Sequence, residues 1–510
     1  MKSFEIAVVA GLLAASLSLP ASAQKSKDTL LLGTQDPFAT IDAYMQPAVE
    51  VAQFGRVVMG RMVIYDEVNG TFLPELAKSW SRPDPASIDF ELRDDVVFHS
   101  GNRFSAEDVK YTIDYLLDPK VPLRFKNRYN WVKSAEVLGP HKVRIIMHEP
   151  LAVDMFNLAY SFSFYDSALH KKLTEKADYG RVSPSGTGSY KVISVDANAG
   201  VAVERFEPAL KTFKHFRAPI KRIQSVPVPD RQTQIAKLIT GEVNVITNVT
   251  EDMAAELAKQ KNIVVTPTPS KRLMYITIDA AGRSANKAFK DLRVRQAFIK
   301  AIPRDQIAKN FVAGYEIAEV PKGICFEKNV GCAASTTPPG YDPEGAKKLL
   351  AEAGYPNGLD MVFSVYEPFR HVAEAVVGEI RKTGFRATLD SMPLSVYTAR
   401  RAKGELTTLL AAYPTFTQPN VENIFDVFFG GERDYSGDPD IMKIAARGAP
   451  EPDIAKRTAI YREALDLVNR QSYVYPMIEQ PMVVAHSADL RIVKSAHSVA
   501  DVRIDDYTWK

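Results

Sequence analysis

Cysteine is scarce in this chain: its 510 residues include two, Cys325 and Cys332. Their C-x6-C spacing differs from the C-x-x-C of redox and zinc sites, and so gives little support to either kind of site. In an oxidising compartment, the simplest interpretation is a local disulfide that closes a surface loop rich in glycine and proline. A redox or metal-binding pair is the alternative.

Motifs of the common enzyme classes are missing. The sequence contains no H-E-x-x-H, no G-x-S-x-G, no G-x-x-x-x-G-K-[ST] and no G-x-G-x-x-G, the motifs of metalloproteases, serine hydrolases and two classes of nucleotide-binding protein. Its 8 histidines are scattered, with no pair at the spacing of metal ligands. We therefore expect no metal, no cofactor and no catalysis. A periplasmic hydrolase whose residues meet only in the folded chain is the alternative.

Apolar runs long enough to cross a bilayer are missing as well. The run Ile6–Leu19 has about 14 residues, against the roughly 20 that a spanning helix needs. With Lys2 before it and Ala21-Ser22-Ala23 after it, the run is typical of an export signal that is cleaved after Ala23. No cysteine follows that site to carry a lipid. The sequence therefore predicts a signal peptide over 1–23 and a periplasmic protein, with secretion as the second choice.

Neither sign of charge prevails: 64 Lys and Arg residues stand against 61 Asp and Glu, a net charge of +3. Because the charges are interspersed, nothing favours a nucleic acid or an anionic membrane surface as a partner. The length exceeds what one hydrophobic core usually organises, which predicts two or three domains. Helical and strand patterns alternate along the chain, which indicates an α/β or α+β fold.

Several segments predict individual elements. Residues 90–98 alternate as a strand, and Ser105-Ala-Glu-Asp108 matches the capping box that opens a helix. The pair Asp342-Pro343 predicts another helix start, with Gly354 as its stop. Apolar periodicity predicts three further elements: a helix with Val372, Val376 and Ile380 on its buried face, a strand Phe385–Leu389, and a helix from Pro452 to about Arg470.

Six segments, in a fixed order along the chain, resemble a known family. They are Leu76–Trp80, Phe90–Val109, Ser185–Lys191, Gly241–Asn244, Asp291–Ala297 and Tyr341–Gly358. Over nearly the whole mature length, the chain resembles the peptide/nickel/opine family, family 5, of ABC-importer solute-binding proteins, and within it the oligopeptide- and dipeptide-binding proteins. One position departs from the family pattern, since Ser189 stands where proline is usual.

The resemblance implies an α/β architecture of two lobes with an extra small domain. Lobe I would comprise 24–60, 179–279 and 477–510, the additional domain 61–178, and lobe II 280–476. Two crossover segments, near Met274–Asp279 and Tyr475–Pro481, would form the hinge. These limits come from the resemblance and not from composition.

The resemblance also implies a function. A monomer would capture a small solute in the cleft between its lobes, close around it, and deliver it to an ABC permease in the inner membrane. A short peptide or an amino-acid-derived conjugate is the expected ligand. An opine, an oligosaccharide and a metal chelate are the alternatives, and a sensory or chaperone role on the same scaffold is a different class of function.

Five segments fall where that family lines its cleft: 43–47, 366–371, 400–401, 413–418 and 478–480. The candidate ligand contacts in them are Tyr44, Tyr366, Arg370, Arg401, Tyr413, Thr415, Phe416 and Glu479. Aromatic side chains offer a large contact area with few rotatable bonds, so Tyr44, Tyr413 and Phe416 would stack on the ligand. Arg370 or Arg401 would pair with a ligand carboxylate. Ordinary wall packing and a solvated surface arginine are the alternatives.

One feature of peptide binders in the family is missing here. They often carry an A-D-Y-x-x-P segment, whose aspartate holds the α-ammonium group of the peptide. In this chain the segment is Ala411–Pro419, and the aspartate position falls on Ala412 or Thr415. Glu479, in the hinge strand, is the candidate replacement, and an exposed or salt-bridged hinge glutamate is the alternative. We therefore do not expect the ligand to be a generic free peptide held by its ammonium group.

Overall fold

The fold is described from a computed structural model of the chain. It describes residues 28–46, 48–66, 69–123, 126–327, 329–414, 420–493 and 503–510. The predicted signal peptide and the candidate contacts Thr415 and Phe416 lie outside the described residues.

The strands alternate with helices along the chain, as the sequence pattern predicts. In chain order the strands are β1 Thr29–Thr34, β2 Val63–Asp66, β3 Thr71–Pro74, β4 Ala77–Asp84, β5 Ser87–Leu92, β6 Val132–Gly139, β7 Lys142–Met147, β8 Tyr190–Asp196, β9 Gly200–Arg205, β10 Arg222–Pro227, β11 Val245–Ile246, β12 Ile263–Thr268, β13 Arg272–Ile278, β14 Leu359–Tyr366, β15 Phe385–Met392, β16 Thr408–Pro414, β17 Val474–Glu479, β18 Met482–Ser487, β19 Leu490–Arg491 and β20 Thr508–Trp509.

The helices are distributed over the whole described chain. In order they are α1 Val49–Val58, α2 Ala106–Leu117, α3 Asp154–Tyr160, α4 Ser167–His170, α5 Glu207–Thr212, α6 Arg231–Thr240, α7 Glu251–Leu257, α8 Leu292–Lys300, α9 Arg304–Phe311, α10 Pro343–Glu352, α11 Arg370–Arg381, α12 Leu394–Ala402, α13 Glu422–Phe429, α14 Pro439–Gly448 and α15 Ile454–Gln471. Short 3₁₀ turns span Lys126–Arg128, Lys176–Gly180, Ala288–Lys290, Tyr315–Ile317, Glu367–Phe369, Gly431–Arg433 and Ile504–Asp506.

A seven-stranded sheet has the strand order β12-β18-β11-β1-β10-β9-β8. Strand β1 runs parallel to β10 and β11, whereas β9 and β18 are antiparallel to their neighbours. In β18, Met482 and Val484 face one hydrophobic core while Val483 and Ala485 face another. Because side chains alternate across a strand, this strand is apolar at successive positions and packed on both faces.

A five-stranded sheet has the order β15-β14-β16-β13-β17, with β14 parallel to β15 and β16. Its central strand β13 shows the same alternation. Met274, Ile276 and Ile278 enter one core, and Leu273 and Tyr275 enter the other. Both faces of this sheet are therefore covered, and its strands read as continuous apolar runs.

The chain crosses between the two larger sheets twice. It leaves the seven-stranded sheet after Thr268 and enters β13 at Arg272, and it returns between Glu479 and Met482. The crossings lie side by side, since the Gln480 amide donates to the Arg272 carbonyl at 2.7 Å and the Ser270 hydroxyl donates to the Gln480 carbonyl at 2.5 Å. The first crossing precedes the predicted segment Met274–Asp279, most of which is strand β13.

A smaller antiparallel sheet, β4-β5-β7-β6, packs against helix α2. The predicted capping box opens this helix: the Ser105 amide donates to the Asp108 carboxylate at 2.9 Å. One prediction here is wrong in extent, because the strand predicted over 90–98 ends at Leu92. Beyond it the chain bends at Asp94 and Asp95, and Val97 forms an isolated bridge with Arg103.

The other local predictions are confirmed with small changes of boundary. Asp342 caps α10 by accepting a 2.9 Å hydrogen bond from the Gly345 amide, and Gly354 adopts a positive φ after it. The predicted helices around Val376 and Ala464 are α11 and α15, and the predicted strand from Phe385 is β15. Cys325 and Cys332 form the predicted disulfide.

Candidate functional site

A cavity of about 440 Å³ lies along one face of helix α1. Its walls come from three places: the loop 41–44 with helix α1, residues 128–129 and 160–165 near the four-stranded sheet, and residues 179–180. Leu394, the first residue of α12, closes it from the side of the five-stranded sheet. The cavity therefore lies where the parts of the molecule built on the seven-, five- and four-stranded sheets meet.

The backbone beside the cavity requires glycine. A side chain at Gly186 or Gly188 would overlap the main chain of Val57 and Val58 at the end of α1. The Gly188 amide donates to the Val58 carbonyl at 2.9 Å. These glycines are in the segment that the sequence analysis singled out, and they let the turn approach the helix end that precedes Arg61.

Asp42 and Tyr44 form one wall. The Asp42 carboxylate accepts hydrogen bonds from the Tyr165 hydroxyl at 2.7 Å and from the Tyr44 amide at 2.9 Å. Burial raises the pKa of Asp42, and these hydrogen bonds offset part of the effect. The Tyr44 hydroxyl donates to the Ser163 carbonyl at 2.6 Å and accepts from the Ser163 amide at 2.7 Å. This wall is thus held by its own hydrogen bonds.

Two arginines line the same cavity. Nη1 of Arg61 donates to the Phe162 carbonyl at 3.1 Å and also contacts the Ser163 hydroxyl. The Arg61 amide donates to the Glu75 carboxylate at 2.7 Å. Arg128 ends a 3₁₀ turn, and burial lowers the pKa of its guanidinium, while Tyr129 and Tyr413 act in the opposite direction. Both cations therefore lie at the wall of a largely apolar space, and hydrogen bonds hold the guanidinium of Arg61 there.

The cavity wall also contains a serine hydroxyl. Ser161 follows helix α3 and lines the cavity. Its Oγ atom is buried and has no hydrogen-bond partner within the part of the chain that the structure describes. A buried hydroxyl without a partner carries a free-energy cost, which a ligand bound in the cavity can remove.

The predicted aromatic contacts are divided between two places. Tyr44 lines the cavity. Tyr413, at the end of β16, packs on Phe428 with 5.8 Å between ring centroids. Burial raises the pKa of Tyr413, and the charge of Arg128 offsets part of the effect. Tyr413 thus belongs to the five-stranded sheet and lies close enough to Arg128 to be affected by its charge. Tyr366 packs on Phe369 and Tyr397 within that part of the molecule.

The predicted arginine contacts lie outside the cavity lining. Arg370 is exposed on α11 and forms a 2.8 Å ion pair with Glu374 on the same helix. Arg401 lies among tyrosines at the end of α12, where its Nη1 donates to the Tyr275 hydroxyl at 3.3 Å. Its Nε and Nη2 atoms are buried without a partner among the described residues. Their part in ligand binding stays a prediction.

Glu479 lines a different and much smaller space of about 50 Å³, together with Lys271, Glu319 and Phe326. Its backbone amide donates to the Glu319 carbonyl at 2.8 Å. The structure therefore separates Glu479 from Tyr44 and from the cavity arginines. Whether Glu479 contacts a ligand stays a prediction.

Sequence reasoning missed Arg61, Arg128, Ser161 and Leu394. These residues are far apart in the chain and belong to no motif, so no local signal identifies them. One sign was available for Arg61, a charged residue between two apolar stretches of the sequence, Val57–Gly60 and Met62–Ile64.

Two further properties of the described residues bear on function. Among them, no group of three or more His, Cys, Asp and Glu side chains is arranged to hold a metal ion. None of the helices in these residues combines the length and the apolar character needed to cross a membrane.

Comparison with known proteins identifies the family to which the chain is similar. Residues 71–436 match the family described as bacterial extracellular solute-binding proteins, family 5. The glutathione-binding protein GsiB of Shigella dysenteriae is 26% identical over 443 residues, which cover 81% of this chain and 82% of GsiB.

Solved structures show the same fold. NikA from Brucella suis, in complex with Fe(III)-EDTA, has a TM-score of 0.83 and 21% identity over 94% of this chain and 100% of its own. A dipeptide-binding protein from Pseudoalteromonas, in complex with Met-Leu, has a TM-score of 0.77 and 20% identity over 94% and 100%. The predicted two-lobed α/β fold is thereby confirmed. The chain belongs to family 5 of the bacterial extracellular solute-binding proteins and is the substrate-binding component of an ABC importer.

Proposed function

We propose that this chain captures a short peptide or an amino-acid-derived conjugate in the 440 Å³ cavity and delivers it to an inner-membrane permease. The main support for this proposal is the size of the cavity, which falls within the range of small-molecule sites, roughly 300–1,000 Å³. Its wall combines tyrosines with a few fixed polar groups, the composition typical of such sites. The glutathione-binding and dipeptide-binding relatives support this ligand class.

Closure of the lobes follows from the origin of the cavity wall. Tyr44 and Arg128 belong to the parts built on the seven-stranded and four-stranded sheets, whereas Leu394, at the start of α12, belongs to the part built on the five-stranded sheet. A ligand that contacts both sides only when they approach stabilises the closed form by that difference in contact. The paired crossings near Arg272 and Gln480 are the proposed hinge.

The proposal also includes the domain organisation, the oligomeric state, the location and the absence of catalysis. The domain limits expected from the resemblance, a monomeric state, a periplasmic location and the lack of catalysis are part of it. Most strands support the domain limits, because β4–β7 fall within 61–178 and β14–β16 within 280–476. The other two strands of the five-stranded sheet do not follow them: β13 lies within 179–279, and β17 extends past 476 to Glu479. The membership of an extracellular solute-binding family supports the location.

Native mass spectrometry tests the proposal. The protein is purified from a periplasmic extract without denaturation, and a parallel sample is unfolded in urea, dialysed and refolded. We expect the native sample to carry a small solute that the refolded sample lacks, and that is released unchanged after long incubation. A solute converted during incubation would indicate a hydrolase. A protein that carries no solute and binds none from a periplasmic extract would contradict the receptor role.

A further inference from the structure

We propose that the cavity holds a large apolar group of the solute, of the size of a phenyl or indole ring, and that Ala52 and Leu394 determine which groups fit. This inference rests on the proposed function, because it takes the 440 Å³ cavity as the ligand site. It specifies the solute as an amphipathic conjugate, with an apolar group in the cavity and a polar part beside it.

Helix α1 presents small and apolar side chains to the cavity. The residues that line it are Ala48, Ala52, Gly55 and Met59. They follow one another at intervals of four, three and four positions, so they lie on one face of the helix. Because Ala48 and Ala52 end at Cβ, they leave room beside the helix that a longer side chain would fill. The helix therefore gives the cavity an apolar wall with space next to it.

Three tyrosines offer mainly their rings to the cavity. The hydroxyls of Tyr44 and Tyr165 each donate a hydrogen bond to another residue of the wall. The Tyr179 hydroxyl donates to the Ser185 carbonyl and accepts from the Asp166 amide at 3.0 Å. Each hydroxyl thus donates its one hydrogen within the protein. The part of each residue that is left for a ligand is chiefly the apolar ring.

The rings of the wall pack edge to face. Tyr165 meets Tyr44 with 5.6 Å between centroids and 64° between planes, and it meets Tyr179 with 4.8 Å and 74°. Tyr129, which also lines the cavity, meets Tyr44 with 5.3 Å and 70°. Aromatic rings prefer such contacts, with centroids roughly 4.5–7 Å apart. A ring supplied by the solute would make the same kind of contact at this wall.

The part of the molecule built on the five-stranded sheet also offers an apolar group. Among the described residues that line the cavity, Leu394 is the one from this part, and 55% of it is exposed. A solute group that contacts both α1 and Leu394 would bury part of this leucine, and the burial of apolar surface is favourable. An apolar group therefore stabilises the closed form more than a polar group does.

The cavity also has room for the polar part of a conjugate. An apolar cavity of roughly 150 Å³ is large enough to bind benzene, and this one has about 440 Å³. Beside the apolar wall, the buried Ser161 hydroxyl has no hydrogen-bond partner within the described part of the chain. The size and the hydroxyl therefore suit a ring that is joined to a polar group, rather than a ring alone.

Calorimetry with S-substituted glutathiones tests the inference. S-methylglutathione and S-benzylglutathione share their polar part and differ in the apolar group. We expect S-benzylglutathione to bind about 10- to 100-fold more tightly, because its ring leaves water on binding. Equal Kd values would overturn the inference.

A second probe decides if neither glutathione derivative binds. Indole is then added to the wild type and to Ala52→Leu, and its binding is followed by saturation-transfer NMR. We expect indole to bind to the wild type and much less to the variant. Indole that does not bind, or that binds equally to both proteins, overturns the inference.

Variants assign the effect to the cavity. Ala52→Leu should weaken binding of S-benzylglutathione by about tenfold or more and change that of S-methylglutathione less than about threefold. Ala459→Leu, at an exposed position of α15, is its matched control. Leu394→Ala should weaken binding of S-benzylglutathione by about three- to tenfold. Its control is Ile454→Ala, since Ile454 is an exposed first residue of α15, as Leu394 is of α12.

Thermal unfolding followed by circular dichroism shows whether each variant is folded. If Ala52→Leu does not fold, Leu394→Ala decides, because its side chain is mostly exposed. Unchanged affinity for S-benzylglutathione in the folded variants overturns the assignment to these residues.

The solute recovered by native mass spectrometry gives an independent readout. A recovered solute with a ring or another large apolar group supports both the receptor role and the inference. A recovered solute that is polar throughout keeps the receptor role and overturns the inference, so the two proposals fail in different ways.

Discussion

The Tyr165 hydroxyl donates a 2.7 Å hydrogen bond to Oδ2 of Asp42, and both side chains are buried behind the cavity wall. The Tyr165 ring also stacks on His170 with 4.4 Å between centroids. An acid, a phenol and an imidazole are thus packed together beside the ligand site. Because burial shifts the pKa values of Asp42 and His170 in the directions that oppose charge, this part of the wall makes stability depend on pH.

Asp42→Asn tests the raised pKa of Asp42. In the folded protein this pKa lies above its value in the unfolded chain, so the ionised carboxylate destabilises the fold relative to the protonated one. As the pH falls from about 7 towards 4, the wild type should therefore gain stability relative to the asparagine variant, which does not titrate. Urea unfolding of both proteins at several pH values measures the difference.

Tyr165→Phe is the partner control for that measurement. It removes the donor and should lower the free energy of unfolding by about 1–3 kcal/mol, because a buried acceptor loses its partner. A wild type that loses stability relative to Asp42→Asn as the pH falls would show that the pKa of Asp42 is lowered instead.

His99 should make the fold sensitive to acid. Its Nδ1 lies 3.2 Å from the Gly186 amide and its Nε2 lies 3.1 Å from the Gly188 carbonyl, an arrangement that suits the neutral ring. Burial lowers the pKa of His99 to about 4. The unfolded chain takes up this proton near pH 6.5 and the folded chain does not, so stability falls as the pH drops through this window, by up to about 3 kcal/mol near pH 4.

The variant His99→Gln should reduce the pH dependence of the free energy of unfolding between about pH 6.5 and 4. His148→Gln is the control, since His148 is exposed beside the four-stranded sheet. Equal slopes for wild type and His99→Gln would contradict the lowered pKa.

The fold followed from the sequence where its signals are local. The capping box at Ser105 and the cap at Asp342 each depend on residues three apart, and both were located correctly. The strand predicted over 90–98 was too long because alternation continues through Asp94 and Asp95, where the backbone bends. The alternation of apolar and polar residues does not by itself show where the pairing with a neighbouring strand ends.

The site was predictable only in part. Tyr44 was singled out through the resemblance and lies in the cavity wall. Arg61, Arg128 and Leu394 were not, because they come from three different parts of the chain and meet only after the sheets have packed. Charged residues on a surface and charged residues in a cavity look alike in a sequence, so Arg370 was chosen and is an exposed, ion-paired helix residue.

The disulfide should stabilise the five-stranded part of the molecule. The loop closed by Cys325 and Cys332 places Phe326 beside Tyr413, with 6.5 Å between centroids, and the Val330 carbonyl accepts from the Val421 amide at 3.1 Å. Replacing both cysteines by serine should lower the free energy of unfolding by about 2–3 kcal/mol, as expected for a loop of this length. Urea unfolding measures this change. The wild type with dithiothreitol should behave like the variant, and an unchanged midpoint in both would contradict a stabilising bond.

Glu479→Gln distinguishes the cavity from the hinge as the ligand site. Glu479 lines a space of about 50 Å³, whereas the cavity with Arg61 and Arg128 has about 440 Å³. Small-molecule sites usually have roughly 300–1,000 Å³, and the smaller space falls well below that range.

We therefore expect Glu479→Gln to change the Kd of the co-purified solute less than about threefold, against a loss of about tenfold or more in Ala52→Leu. Calorimetry at equal protein stability, checked by thermal unfolding, compares the two variants. If Glu479→Gln abolishes binding while its melting temperature is unchanged, the carboxylate of Glu479 binds the ligand directly. The ligand then carries a cationic group at the hinge, as the sequence alone suggested.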